Sequence, residues 1–278
     1  MDPILVTGGT GTLGRHVVRR LRELGRDVRV LTRRTGLQEQ RVRFVTGDLR
    51  SGAGIAAAVQ GVATIVHCAG SSEGDDAATR TLVDAASGAG KPHLVYISVV
   101  GAERVPIPGR IDRMMFGYFG MKRSAEEVIE RSGLPWTTLR ATQFYDLILR
   151  VVEKLAKLPV VPVPAGVAFQ PVEADEVATR LVELSLGRPS GLVPDIAGPR
   201  AYPAAELIRA YLRATRRRRL LLPLWLPGDA ARAVRAGANL TLEQAVGRRT
   251  WEEFLADRLP SARAAPRRSV QAGHPARS

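Results

Sequence analysis

The chain has 278 residues, 45% of them hydrophobic and only 5% aromatic, so it can bury one sizeable core packed mainly by Val, Leu, Ile and Ala. No apolar run approaches the roughly 20 residues of a membrane-spanning helix, while the single cysteine, Cys68, excludes an internal disulfide and no Cys/His spacing suits zinc. The net charge of +14 rests mostly on scattered arginines, with a dense run at Arg216, Arg217, Arg218 and Arg219; lacking interleaved aromatics or a basic recognition helix, it reads as solvated surface, and no nucleic-acid partner is expected.

The first element is a short apolar strand, Pro3-Ile4-Leu5-Val6. It runs into Thr7-Gly8-Gly9-Thr10-Gly11-Thr12-Leu13-Gly14 and then into a helical pattern with Leu13, Val17, Val18, Leu21 and Leu24 on one face. With a strand starting at once, no secretory leader is expected, and the expected location is the cytoplasm. In a strand–turn–helix context these glycines mark a dinucleotide site. Gly8 or Gly9 permits the tight turn, Gly11 admits a pyrophosphate to the backbone, and Gly14 lets helix and strand pack closely. Thr10, Thr12 and Leu13 complete the loop, and the helix N-terminus offers free N–H groups to phosphates.

Further strands are expected over residues 27–32, 42–45, 64–70, 93–98 and 136–140, with helices over 55–59, 77–89 and 119–131 and a loop over 101–117. This alternation predicts a Rossmann-type doubly wound parallel sheet with helices on both faces. The glycine turn, Thr32 to Arg34, Asp48, Ala69, Gly70 and Ser98 all fall at strand carboxyl ends, the edge where such sheets bind ligands. Residues 1–143 form the expected nucleotide-binding core, and 144–258 a small, partly irregular C-terminal substrate-side region integrated with it. That region should hold helices over 146–158, 177–186, 202–212, 229–238 and 242–255 and a strand over 193–197. Residues 259–278, rich in Pro, Ala, Arg and Ser, are expected to be a disordered tail.

Tyr118 and Lys122 are four apart and share a face of any helix that carries them. An ammonium beside a phenol favours the phenolate, which makes a tyrosine a usable proton donor near neutrality. Ser98, at the end of the fifth strand, could hold a carbonyl oxygen through its hydroxyl. Gly117 and Gly120 are poor helix formers, so Tyr118 is expected on a frayed first turn. Cys68 reads as an inert packing thiol, His67 as structural, Asp175 as a helix cap, and Gln143 and Tyr145 as candidate substrate contacts.

The ordered set of these motifs resembles the atypical short-chain dehydrogenase/reductases of the NmrA-like group, which includes NADPH-dependent quinone reductases and relatives of a respiratory complex I accessory subunit. The resemblance extends over residues 4–255 and rests on the glycine turn, Gly47-Asp48-Leu49, Tyr96-Ile97-Ser98-Val99-Val100-Gly101 and Tyr118-Phe119-Gly120-Met121-Lys122. Gly133-Leu134-Pro135-Trp136-Thr137, Arg140-Ala141-Thr142-Gln143-Phe144, Gln170-Pro171-Val172 and Arg249-Thr250-Trp251-Glu252-Glu253-Phe254-Leu255 carry it further. It implies that Ser98, Tyr118 and Lys122 are the catalytic residues, with Lys122 also on the nicotinamide ribose. It implies that Asp48 and Leu49 flank the adenine, that Ala69 and Gly70 line the cofactor, and that Thr142 and Phe144 lie near the nicotinamide or substrate. Some members of the group lack a catalytic residue and act as nucleotide sensors; this chain keeps the set.

An NAD site wants a carboxylate after the second strand. Here Arg33 and Arg34 follow Thr32, and two guanidiniums suit a 2′-phosphate. NADPH is therefore the expected cofactor, with NADH possible. The expected activity is NADPH-dependent reduction of a quinone, enone or ketone, a small-molecule substrate, by a monomer or homodimer. A non-catalytic NADP(H)-sensing protein is the alternative, and a nucleotide-sugar epimerase a weaker third reading.

Overall fold

A computed structural model describes residues 2–70 and 74–259. In chain order its first half comprises β1 (Ile4–Thr7), α1 (Gly14–Glu23), β2 (Val28–Thr32), β3 (Val42–Thr46), α2 (Ile55–Val59), β4 (Thr64–His67), α3 (Asp75–Ser87), β5 (His93–Val99), α4 (Arg110–Glu130) and β6 (Trp136–Ala141). The second half comprises α5 (Tyr145–Leu155), β7 (Val160–Pro164), β8 (Ala168–Phe169), α6 (Ala174–Leu186), β9 (Gly191–Leu192), β10 (Tyr202–Pro203), α7 (Ala204–Ala214), β11 (Leu220–Leu224), α8 (Asp229–Arg235) and α9 (Trp251–Arg258).

Seven strands pair in the order β3-β2-β1-β4-β5-β6-β9, all in parallel. This is the doubly wound arrangement expected from the sequence, and its order reverses between β1 and β4. β1, β4 and β5 are buried at every position, as strands covered on both faces must be. Val6, Val30, Val66, Val95 and Ile97 point to the face covered by α1 and α6. Their neighbours Leu5, Leu31, Ile65, Leu94 and Tyr96 point to the face covered by α2, α3 and α4. A third core, outside the sheet, gathers α5, α7 and α9 around stacked Tyr145, Trp251 and Phe254.

Several local expectations are corrected. α4 begins at Arg110, so the second half of the expected loop over 101–117 is helix and Tyr118 lies in the interior of α4. The helix starts behind Pro108 and extended Gly109, and Gly120 is tolerated inside it because Ile107 packs where a side chain would stand, 3.3 Å from its β-carbon position. The strand expected over 193–197 does not form: β9 ends before it at Leu192, and beyond it Val193 and Ile196 donate to the Thr138 and Arg140 carbonyls of β6, three residues apart where a regular strand donates at every second one. The helix expected over 242–255 is instead one tight turn at Leu242–Gln244 and a separate α9. α9 starts at a capping box, with Thr250 and Glu253 each accepting from the other's backbone N–H. Strands β7 and β11 were not expected. The expected tail lies, from Pro260 onward, outside the described residues.

Candidate functional site

The glycine turn sits where β1 ends, at the reversal of strand order. Gly8 has φ +67°, which settles which glycine makes the tight turn, and a β-carbon there would stand 2.6 Å from the backbone nitrogen of Ala69. At Gly14 a β-carbon would come within 2.2 Å of the Gly8 carbonyl oxygen, so the first turn of α1 can approach β1 only through glycine. No side chain caps α1 and no acid stands in its first turn. Thr10 and Gly11 are exposed, Thr12 is half-buried and Leu13 is buried beneath them. An uncapped helix end facing an open glycine loop fits a pyrophosphate.

Arg33 and Arg34 are exposed just past β2, and among the described residues neither guanidinium forms an ion pair. Asp48 accepts a hydrogen bond from the Arg50 backbone at 3.0 Å, and Leu49 beside it is buried. Ala69 is half-buried and Gly70 exposed at the end of β4. Thr142, at the end of β6, is buried with no hydrogen-bond partner for its hydroxyl among the described residues, and Phe144 is half-buried beside it. That orphaned hydroxyl is the kind of group a bound ligand satisfies.

Beneath Gly70 the expected site residue Lys122 sits in a network whose other members, Asp75 and Tyr96, sequence reasoning did not assign to the site. Lys122, 3% exposed, is salt-bridged to Asp75 Oδ2 at 3.0 Å and donates to Tyr96 Oη and to the Ile97 carbonyl, both at 3.1 Å. Tyr96 in turn donates to Asp75 Oδ2 at 3.3 Å. Burial works against the Lys122 charge, but Tyr96, Tyr118 and Asp75 outweigh it and hold its pKa above the ordinary lysine value. Burial pushes the Tyr96 phenol up. The signals were available: Tyr96 shares a sheet face with Ser98, two residues on along β5, and Asp75 opens α3 after a glycine, where it resembles an ordinary N-terminal acid. Arg150 was also missed; it reaches from α5 to donate to Thr12 Oγ1 at 3.1 Å, over the glycine loop.

His67 packs against this network, its ring stacked on Tyr96 with centroids 5.4 Å apart. Its Nε2 meets Thr79 Oγ1, whose own proton goes to the Asp75 carbonyl, so Nε2 carries the hydrogen and Nδ1 accepts from Thr7 Oγ1 at 2.6 Å. Burial lowers His67 from 6.5 to about 4, which keeps it neutral. Burial also pushes the Cys68 thiol up to about 12, an unreactive state.

Tyr118 is 43% exposed, with Lys122 Nζ 5.8 Å from its ring centroid. The interior of α4 therefore brings Tyr118 and Lys122 together on one side of Gly70. Ser98 is placed differently. It is 4% exposed, on the same sheet face as Arg140, and its hydroxyl lies against Glu126 without the geometry of a full hydrogen bond. Glu126 is clasped by Arg140 at 2.8 and 2.7 Å, a buried pair that ties α4 to β6. Two further expectations are corrected. Asp175 does not cap α6 but pairs with Arg19 and Arg20 on α1 at 2.5 and 2.6 Å. Tyr145 is fully buried and donates to the Arg249 carbonyl, so it belongs to the third core, while Gln143 remains half-buried with Oε1 unpartnered.

The fold and this cleft define a dinucleotide-binding α/β protein of the doubly wound type. The chain belongs to the NAD(P)H-binding family, whose model matches residues 8–155, so the resemblance to atypical short-chain reductases and the expectation of a pyridine nucleotide cofactor are borne out. It is 31% identical over 211 residues to the (4-alkanoyl-5-oxo-2,5-dihydrofuran-3-yl)methyl phosphate reductase of Streptomyces griseus, covering 73% of this chain and 70% of that one. It is 30% identical over 169 residues to the chloroplastic protein TIC 62 of Pisum sativum, covering 49% of this chain and 32% of that one, so it spans about a third of that relative. Among solved structures, an NADPH-dependent quinone oxidoreductase of Escherichia coli complexed with NADPH superposes with a TM-score of 0.76 at 18% identity, covering 91% of this chain and 99% of that one. A triphenylmethane reductase of Citrobacter sp. superposes with a TM-score of 0.73 at 19% identity, covering 92% and 99%. These likenesses give a reductase-type fold that binds NAD(P)H. No helix among the described residues is long and apolar enough to cross a membrane, and no cluster of His, Cys, Asp and Glu among them could hold a metal.

Proposed function

We propose that the chain is an NADPH-dependent reductase of a small quinone, enone or ketone. The observation that carries this reading is the exposed Tyr118 standing beside the buried Lys122 charge, directly under Gly70 at the cofactor edge. The glycine turn and the α1 N-terminus hold the pyrophosphate, Arg33 and Arg34 engage the 2′-phosphate, and Asp48 and Leu49 flank the adenine. Ala69, Gly70, Thr142 and Phe144 line the nicotinamide side. Bound NADPH supplies the hydride. Tyr118 gives its proton to the oxygen on which negative charge develops, and the Lys122 ammonium stabilises the charge left on the phenol oxygen. Ser98 in this reading braces α4 through Glu126 and does not touch the substrate.

A second reading has its own support. All three Lys122 donors are occupied by Asp75, Tyr96 and Ile97, which leaves none for a ribose and suits a protein that binds NADP(H) without turning it over. An NADPH-oxidation screen against quinones, enones and ketones, beside an NADH control and calorimetry, separates the two. Consumption with any acceptor supports the reductase; binding without consumption across the panel supports the sensor; no binding of either nucleotide removes both.

A further inference from the structure

The cofactor cleft leaves the arginine run and the leucines behind it without a role. α7 ends at Ala214, Arg216 adopts φ +54°, and the chain turns into β11. β11 pairs in parallel with β7, setting Leu220 beside Val160, Leu222 beside Pro162 and Leu224 beside Pro164. Partners in register project to the same side, so the outer face of this two-stranded ribbon consists of those six apolar residues. The inner face, with Val161, Val163 and Leu221, is packed into the third core. On the outer face Leu220 is 71% exposed, and Trp225 just past the strand is 74% exposed.

Beside this ribbon, Arg209, Arg213, Arg217, Arg218 and Arg219 line a hollow of about 360 Å³. None of them is salt-bridged to an acid among the described residues, whereas Arg19, Arg20, Arg123, Arg140 and Arg249 all are. An unneutralised guanidinium cluster thus leads directly into a strand whose apolar outer face is uncovered, with an exposed tryptophan just past its end.

Residues 260–278 contain no acid and cannot neutralise the cluster. A second copy meeting this face by two-fold symmetry would oppose like charges. Added strands from a partner would meet Pro162, Pro164 and Pro223, which offer no N–H. Nucleic acid would match the arginines but leave the leucines in water, with Trp225 a lone stacking surface. A bilayer rich in anionic phospholipid matches both: guanidiniums fork onto phosphates, leucines enter the acyl boundary, and tryptophan sits at headgroup level. We infer that the β7–β11 ribbon and the arginines at the end of α7 form a docking surface for an anionic phospholipid bilayer. It does not depend on whether the cleft turns over its cofactor.

The test is co-sedimentation of the full chain with vesicles of phosphatidylcholine alone or with a third phosphatidylglycerol. The chain should sediment with the anionic vesicles only, and less as salt rises. Arg217→Glu with Arg218→Glu should lower the affinity by more than about twentyfold, since each basic residue near such a surface is worth about a factor of five and each new acid is repelled by it. Leu220→Ser with Leu222→Ser should lower it several-fold with all arginines retained, and the emission of wild type should shift to the blue on vesicles while that of Trp225→Phe does not. Unchanged NADP(H) binding in each variant shows that it is folded. Equal sedimentation with neutral vesicles, or retention by both double variants, overturns the inference. So does equal loss of the chain to competing DNA or inorganic phosphate, or sensitivity to the arginines but not to the leucines and Trp225.

Discussion

Across the cleft, the wall made by the glycine turn presents backbone, while the wall made by α4 presents side chains. On the first, Gly8 and Gly14 bring main-chain atoms within contact distance and the charge offered to a ligand is the partial charge of free amides. On the second, a full ammonium is held in place by Asp75, Tyr96 and the Ile97 carbonyl, contributed by α3 and β5. A backbone wall tolerates side-chain change outside its glycines. A side-chain wall is a closed set in which removing one member strands another in a low-dielectric site.

The largest effect that sharpens this contrast is expected at Tyr118. Tyr118→Phe should lower kcat by about a hundred- to ten-thousandfold, while calorimetry finds NADPH affinity unchanged because the opposite wall is untouched. Equal turnover would remove Tyr118 as proton donor. Next comes Asp75→Asn, which leaves the Lys122 charge buried beside a neutral partner and should cost about 3–5 kcal/mol of stability in urea titrations. Adding Lys122→Met should recover much of that loss; if Asp75→Asn alone is silent, the buried pair does not hold this wall together.

The pH dependence probes the same wall. His67 has an ordinary pKa of 6.5 that folding lowers to about 4, so below 6.5 the unfolded chain binds a proton that the folded chain refuses. Stability should therefore fall between these values, by up to about 3 kcal/mol, and be retained above 6.5. His67→Gln should flatten this limb of the stability profile; an unchanged limb assigns it to His16 and His93, which burial also lowers, because Glu126, held low against burial by Arg140 and Arg123, loses its contribution only as the pH falls below its ordinary value of 4.5. The smallest effect belongs to the backbone wall's outer rim. Arg33→Ser with Arg34→Ser should narrow the preference for NADPH over NADH by about tenfold, read as the ratio of the two dissociation constants. An unchanged ratio places the 2′-phosphate elsewhere.

The sequence by itself determined the backbone wall and the sheet behind it, because both are coded locally. A glycine that alone can take φ +67°, an uncapped helix start, and apolar runs of strand length announce themselves within a dozen residues. Local reading failed where distant segments decide. The apolar run after Leu192 could be seen, but not that its donors to β6 fall three residues apart; Gly117 and Gly120 argued for a frayed helix start at Tyr118, whereas α4 already begins at Arg110. Only the tertiary structure decided that Asp75, Tyr96 and Lys122 share one buried site, that Ser98 lies under α4, and that the leucines after the arginine run form the bare face of a ribbon. The reason is the same in each case: a charge in water costs little anywhere, but its partner inside a protein is set by which strands and helices are packed against each other.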